Sequence, residues 1–339
     1  MKQIILGSTN ITVNKNGFGA LPIQRIGKEE AAAILKKAYD SGINFYDTAR
    51  FYTDSEEKLG YALGEFRSSI YLASKTMTTK VEEFWQQLQT TLDKLGTDYL
   101  DIYQFHNPSF CPKPGDGSGL YEAMLEAKEK GMINHIGITN HRLAIAIEAA
   151  ESGLYETIQF PFSYLATKEE LELVELCREK NIGFIAMKAL AGGLITNSAA
   201  AYAYLDQFDH VLPIWGIQRE KELDEFIHYI EQPPILDQTL QQVIDQDRSE
   251  LAKDFCRGCG YCMPCPAQID IPTCARMSLM IRRAPVAVYV NDAWIEKMKQ
   301  IDDCIHCDHC KSHCPYGLDT PKLLRDNWVD YQNFIVHTG

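Results

Sequence analysis

Eight short apolar runs, each followed by a stretch that can turn as a helix, occupy most of the first 230 residues and restrict the fold more than any other feature. The runs lie near residues 17–22, 43–46, 70–74, 99–105, 133–138, 156–160, 182–186 and 211–214. Between them, helical periodicity is clearest at 29–41, 81–95, 120–130, 168–180 and 220–230. Eight strand–helix units is the count at which a parallel sheet closes on itself, so an α/β fold of the (β/α)8 TIM-barrel type is expected. Ahead of the first unit, residues 3–6 and 11–13 flank a turn at 7–10 and suggest a small hairpin that could plug one end of the barrel.

A barrel of this kind builds its active site at the C-terminal ends of its strands. Asp47 and Tyr52 follow the second run, Lys75 ends the third in Ile70-Tyr-Leu-Ala-Ser-Lys75, and His106 ends the fourth in Tyr99-Leu-Asp-Ile-Tyr-Gln-Phe-His106. Singly, each has an ordinary structural explanation, such as a helix cap or a surface ion pair. Together, at successive strand ends, a carboxylate, a phenol, an ammonium and an imidazole form an acid/base set. The phenol of a free tyrosine, near pKa 10, is a poor proton donor-acceptor at neutral pH; a neighbouring ammonium favours phenolate and lowers that value.

These residues, with their Asp-Thr-Ala, Ser-Lys-Thr and Phe-His contexts, resemble the aldo-keto reductase superfamily over roughly residues 1–232. The resemblance implies that Asp47, Tyr52, Lys75 and His106 are the catalytic tetrad. Tyr52 would be the acid/base, Lys75 would tune it, Asp47 would hold Lys75, and His106 would orient the substrate oxygen. It also implies NADP or NAD as cofactor. Asp47, Thr139, Asn140 and Gln159 would lie about the nicotinamide, with Gly19 at the end of the first strand. Met187 stands where the family often has an aromatic, and its thioether can still cover a flat ring. Lys188, Leu190, Gly192 and Gly193 belong to the loop whose amides approach the pyrophosphate. Gly216, Gln218 and Arg219 fall in the loop that grips the adenosine phosphate. Many NADPH-dependent members carry a basic residue on the following helix, where this chain has Glu222, so the resemblance leaves NADH and NADPH both open.

After Pro233-Pro234 the pattern changes. Residues 235–255 read as an amphipathic helix, expected along the barrel's outside, and a cysteine-rich tail follows. Only two of the eleven cysteines, Cys111 and Cys177, precede residue 256. Cys256, Cys259, Cys262 and Cys265-Pro266 return as Cys304, Cys307, Cys310 and Cys314-Pro315, an internal duplication. Cysteines clustered at fixed short spacing point to metal ligation in a reducing compartment. The second run has the bacterial ferredoxin spacing, whereas structural zinc sites more often use two separated pairs. Similarity to two-cluster ferredoxins implies two 4Fe-4S clusters with exchanged fourth ligands: Cys256, Cys259, Cys262 and Cys314 for one, and Cys304, Cys307, Cys310 and Cys265 for the other. Helical periodicity at 272–283 and 292–301 makes this a small, mainly helical two-cluster ferredoxin-like domain. Cys111, Cys177 and Cys274 lie outside the pattern and read as free thiols. The expected domains are 1–245, a barrel with an outer helix, and 246–339, the iron-sulfur domain.

A net charge of −13 with no basic patch argues against a nucleic-acid partner. With 45% hydrophobic residues, no uninterrupted apolar span and no signal-peptide core, the expectation is a cytoplasmic protein without a membrane partner. The expected function is NAD(P)H-dependent reduction of an aldehyde or ketone to an alcohol, or the reverse, fused to an iron-sulfur electron-transfer or sensing module. Its partners would be a small carbonyl or alcohol substrate and an external electron carrier. The alternative is a nicotinamide-binding redox sensor or electron-transfer subunit with little turnover.

Overall fold

An antiparallel hairpin opens the chain: β1 (Gln3–Ile5) pairs with β2 (Thr12–Asn14), with Ile4 opposite Val13. The computed structural model describes residues 2–251, 255–283 and 286–338. All eight expected barrel strands are present, as β3 (Gly17–Gly19), β4 (Phe45–Asp47), β5 (Tyr71–Thr76), β6 (Leu100–His106), β7 (Ile133–Thr139), β8 (Thr157–Pro161), β9 (Gly183–Met187) and β10 (Val211–Gly216). They close in the order β10-β3-β4-β5-β6-β7-β8-β9, every neighbour parallel.

The hairpin fills the barrel end opposite the site. Ile4, Leu6, Ile11 and Val13 share one buried cluster with Phe45, Ala73, Ile102, Ile185, Leu212 and Ile214 from five barrel strands. Only glycine fits at the hairpin's close approach to the barrel. Gly7 has φ +57°, and a Cβ there would lie 2.1 Å from the Gly183 nitrogen.

Helices α1 (Lys28–Asp40), α2 (Ser55–Leu63), α3 (Val81–Leu95), α4 (Leu120–Glu129), α5 (Leu143–Ser152), α6 (Lys168–Glu179), α7 (Ser198–Asp206) and α8 (Glu220–Glu231) alternate with the strands. In α3, Phe84, Leu88, Leu92 and Leu95 recur at helical spacing and are buried, and Gly96 ends the helix at φ +65°. A capping box of Thr167 and Glu170 starts α6. Helices α2, α5 and α7 stand outside the clearest periodicity because α2 is short and α5 and α7 are rich in alanine, without a sharp polar stripe.

The chain divides into two units, Met1–Ala189 with Ala199–Asp237, and Leu190–Ser198 with Gln238–Gly339. The helix expected over 235–255 is α9 (Gln238–Glu250), and it groups with the second unit rather than ending a barrel domain at 245. Arg283 ties it there, donating to Asp247 at 2.9 Å and Glu250 at 2.6 Å. Its expected continuation through 252–254 lies outside the described residues.

The second unit is helical among its described residues: α10 (Ile271–Cys274), α11 (Met277–Arg283), α12 (Val286–Tyr289), α13 (Asp292–Lys299), α14 (His309–Ser312) and α15 (Thr320–Thr338) follow α9. The helix read over 272–283 is broken between α10 and α11. Helix α15, with Pro321 in its first turn, organises the unit. Leu324, Trp328 and Tyr331 are buried on one face, Asn327 donates to the Ala275 carbonyl at 3.2 Å, and Asp330 takes two hydrogen bonds from Arg282. Among the described residues, no helix is long and apolar enough to cross a membrane.

Candidate active site

Parallel pairing sets the level at which each candidate residue leaves its strand. Gly216 pairs with Gly19 and Gly19 with Asp47; Lys75 pairs with Gln104; His106 pairs with Thr139, and Thr139 with Gln159. Residues up to 197 positions apart, as Gly19 and Gly216 are, are thereby brought to one end of the barrel, the end where such folds carry their chemistry.

Lys75 is at the centre. Its Nζ donates to both oxygens of Asp47 at 2.7 Å and to the Thr48 carbonyl at 2.6 Å. Both side chains are almost wholly buried. Burial pushes the Asp47 carboxyl up and the Lys75 ammonium down, each toward neutrality, and their direct contact opposes both shifts. With all three ammonium hydrogens matched to acceptors, the charged pair is the state this geometry serves.

Tyr52 lies half-buried on the loop after β4, its ring centroid 5.4 Å from Lys75 Nζ. The His106 ring meets it edge to face, centroids 5.8 Å apart, and Phe51 approaches the same imidazole at 6.3 Å. Burial, and then the Lys75 charge, push His106 down to about 3. At neutral pH it is an uncharged imidazole, able to hydrogen-bond but not to donate a proton as an imidazolium. Asp47, Tyr52, Lys75 and His106 are thus brought together.

Gln104, which the sequence reading did not single out, belongs to the same constellation. Its Nε2 donates to Gln159 Oε1 at 2.8 Å and approaches Asp47 at 3.5 Å, while Gln159 Nε2 donates to Asp47 at 3.3 Å. Strand alternation carries the signal that would have found it, because Gln104 is two residues before His106 and faces the same way.

The expected cofactor residues divide by what engages them. Asn140 is used locally: its Nδ2 donates to the Pro108 carbonyl at 2.9 Å and its Oδ1 accepts from the Arg142 amide at 2.8 Å. Thr139 donates to the Met187 sulfur at 3.7 Å. Lys188 has φ +56°. At the start of α8, Glu222 Oε2 accepts from the amides of Gln218 at 2.9 Å and Arg219 at 3.0 Å, while Oε1 pairs with the Arg219 guanidinium at 2.7 Å. Leu190, Gly192 and Gly193 fall within the second unit. There Arg276 donates to the Gly192 carbonyl at 2.7 Å and Arg283 to the Leu194 carbonyl at 2.9 Å.

In the second unit, one cavity is lined by Cys262, Cys265, Cys304, Cys307 and Cys310, walled by Ile269, Ile271 and Leu324. Burial is the main influence on Cys256, Cys262 and Cys310, pushing each thiol up, and the neighbours acting on them cross between the two runs. Cys256 feels Cys259 and Cys314, and Cys310 feels Cys304 and Cys265. The Gly258 amide points at Cys256 Sγ, 3.4 Å away. Cys111, Cys177 and Cys274 are buried free thiols, the last two pushed up to about 12 by burial.

Residues 3–211 match the aldo/keto reductase family, and residues 255–319 match a 4Fe-4S dicluster domain. The chain belongs to the aldo/keto reductase family, with an iron-sulfur domain at its C-terminal side. It is 30% identical over 210 residues to an L-galactose dehydrogenase of Arabidopsis thaliana, covering 56% of this chain and 66% of that one. It is 28% identical over 228 residues to an NADH-specific methylglyoxal reductase of Escherichia coli, covering 58% and 70%. The chain therefore spans only about two thirds of these relatives' length. A solved aldo-keto reductase from Bacillus halodurans, in its holo form, superposes with a TM-score of 0.65 at 22% identity, over 73% of this chain and 96% of that one. That last likeness bears on the fold.

Proposed function

We propose that this chain reduces a small aldehyde or ketone to its alcohol, or runs the reverse reaction, with Tyr52 as the group that moves the proton. The observation that carries the reading is the Lys75 ammonium. It is bonded to both Asp47 oxygens at 2.7 Å and stands 5.4 Å from the Tyr52 ring centre. An ammonium held there stabilises phenolate, which lets the Tyr52 O–H bond break as the substrate's O–H bond forms. Neutral His106, beside the Tyr52 ring, would hydrogen-bond the carbonyl oxygen and fix its direction. Bound nicotinamide would supply the hydride in reduction and accept it in oxidation.

We favour NADH over NADPH. Glu222 already satisfies the amides of Gln218 and Arg219 and neutralises the Arg219 side chain. An additional phosphate at that helix start would meet a carboxylate where it needs free donors and positive charge. Gln159, beside Asp47, would hold the nicotinamide end. The Asn140 side chain, engaged by Pro108 and Arg142, would contribute through its position in the turn.

The thiols suit two 4Fe-4S clusters sharing the runs, Cys256, Cys259 and Cys262 with Cys314, and Cys304, Cys307 and Cys310 with Cys265. The support is that Cys265 of the first run lines one cavity with Cys304, Cys307 and Cys310 of the second, and that Cys314 acts electrostatically on Cys256. Such clusters exchange single electrons, whereas hydride transfer moves two at once, so we assign the tail to sensing or to an external electron carrier rather than to the carbonyl reaction. A panel of aldehydes and ketones, assayed with NADH and with NADPH on the anaerobically purified full chain, tests the reading. Turnover with NADH on at least one carbonyl is expected. Tight nucleotide binding without turnover on any of them would favour a redox sensor or electron-transfer subunit instead.

A further inference from the structure

Tyr52 rides on a loop whose shape is fixed by a buried ion pair outside the tetrad. The loop leaves β4 after Asp47 and enters α2 at Ser55. Ser55 Oγ donates to the Ala20 carbonyl at 2.9 Å, so its contact with Thr48 Oγ1, also 2.9 Å, takes the threonine's proton. These bonds pin the loop's two ends together. Between them, the Arg50 amide donates to the Lys75 carbonyl at 3.1 Å and the Tyr52 amide to the Ala49 carbonyl at 2.9 Å.

The Arg50 guanidinium spans the loop. One nitrogen pairs directly with Glu56 Oε2, and another donates to the Thr53 carbonyl at 3.2 Å. Glu56 is 1% exposed, and its other oxygen accepts from Ser74 Oγ and Thr91 Oγ1, both at 2.8 Å. The carboxylate is therefore anchored to β5, one residue from Lys75, and to α3. The pair closes a chord from two residues before Tyr52 to four residues after it. Thr53, inside that chord, has φ +36°, a conformation that a β-branched residue keeps only when its surroundings impose it. A buried ion pair is a poor source of stability but a good way to specify one arrangement of a loop.

Resting on the assignment of Tyr52 as the proton-transferring group, we infer that Arg50 and Glu56 are positioning residues that hold the Tyr52 hydroxyl in register with Lys75. Neither need touch the reacting atoms. The pair acts by fixing the loop to the strand from which Lys75 projects.

The test compares Arg50→Gln, Arg50→Lys and Tyr52→Phe in the full chain, using the best carbonyl and alcohol from the substrate panel. Arg50 is partly exposed, and Arg50→Gln leaves Glu56 its two hydroxyl donors. Arg50→Gln should lower kcat by about 10- to 100-fold, the scale expected for a misplaced reacting group. The NADH dissociation constant, read by fluorescence titration, should stay within about twofold, since reactant positioning is separable from cofactor affinity. The acid-side limb of the alcohol-oxidation pH profile, where activity rises as Tyr52 ionises, should move to higher pH, because a phenol farther from the ammonium is harder to ionise. Arg50→Lys should recover most of kcat. A wild-type kcat and pH profile in Arg50→Gln, with Tyr52→Phe inactive, would overturn the positioning role and leave the Tyr52 assignment intact. Equal losses in Arg50→Lys and Arg50→Gln, with an unfolded melting profile, would overturn it in favour of plain structural support. An active Tyr52→Phe would instead remove the assignment on which the inference stands.

Discussion

Lys75→Met should expose how much of the barrel's stability depends on one buried charge pair. In the native chain Asp47 receives three kinds of donor: Lys75 at 2.7 Å, Gln159 at 3.3 Å and Gln104 at 3.5 Å. Methionine is similar in length and removes only the ammonium, leaving a carboxylate that is 2% exposed with two long amide contacts. Breaking a buried pair from one side costs about 3–5 kcal/mol. For a domain of this size, that corresponds to a fall of about 10 °C in the barrel's melting transition. The pH dependence identifies the cause. Burial already raises Asp47, and without Lys75 its folded value rises further above its unfolded one. The folded variant then keeps a proton that the unfolded chain releases, so its deficit is full at high pH and shrinks as pH falls through the raised folded value. Calorimetry of native chain and variant across that range measures this. Asp47→Asn combined with Lys75→Met should regain most of the loss and show little pH dependence. A Lys75→Met variant that melts like the native chain at pH 7, or whose deficit grows on acidification, would refute the reasoning.

Three further outcomes follow from other parts of the chain. Glu222→Gln removes the charge beside Arg219 while keeping an amide oxygen for the α8 amides, and should shift the kcat/KM ratio toward NADPH by about 5- to 10-fold; an unchanged ratio would separate Glu222 from nucleotide choice. Cys314→Ser should damage the cluster assigned to Cys256, Cys259 and Cys262, as seen by spectroscopy that resolves the two clusters; loss confined to the Cys304 run's cluster would mean that each run serves its own. NADH added anaerobically to flavin-free protein should leave the clusters oxidised during carbonyl reduction, and a reduced-cluster EPR signal on the turnover timescale would put the tail inside the catalytic cycle.

The barrel was legible because its strands are short, apolar and regularly spaced, and because Asp47, Lys75 and His106 each sit at or just past a strand end, where residue type and position agree. The closed register and the hairpin plug by Ile4, Leu6, Ile11 and Val13 follow the same apolar pattern. What was not legible depended on long-range partners. Gln104 acquires its role from Gln159 and Asp47, 55 and 57 residues away, and Glu56 from Arg50, Ser74 and Thr91. The placement of α9 depends on Arg283, whose guanidinium reaches Asp247 and Glu250 across more than thirty residues. Helix α15 was within reach of sequence reasoning, since Leu324, Trp328 and Tyr331 follow helical spacing after Pro321.

The most direct measurement of the central claim is a single-turnover rate of nucleotide oxidation in Tyr52→Phe, with NADH affinity measured on the same preparation. A hydroxyl that supplies the proton only as the carbonyl is reduced contributes to the transition state and little to cofactor binding. The account predicts a rate lower by about 10²- to 10⁴-fold, the range for a lost general acid, with the NADH dissociation constant nearly unchanged. A variant that reduces the same carbonyl within about tenfold of the native rate falls outside that range. It would contradict the assignment of Tyr52.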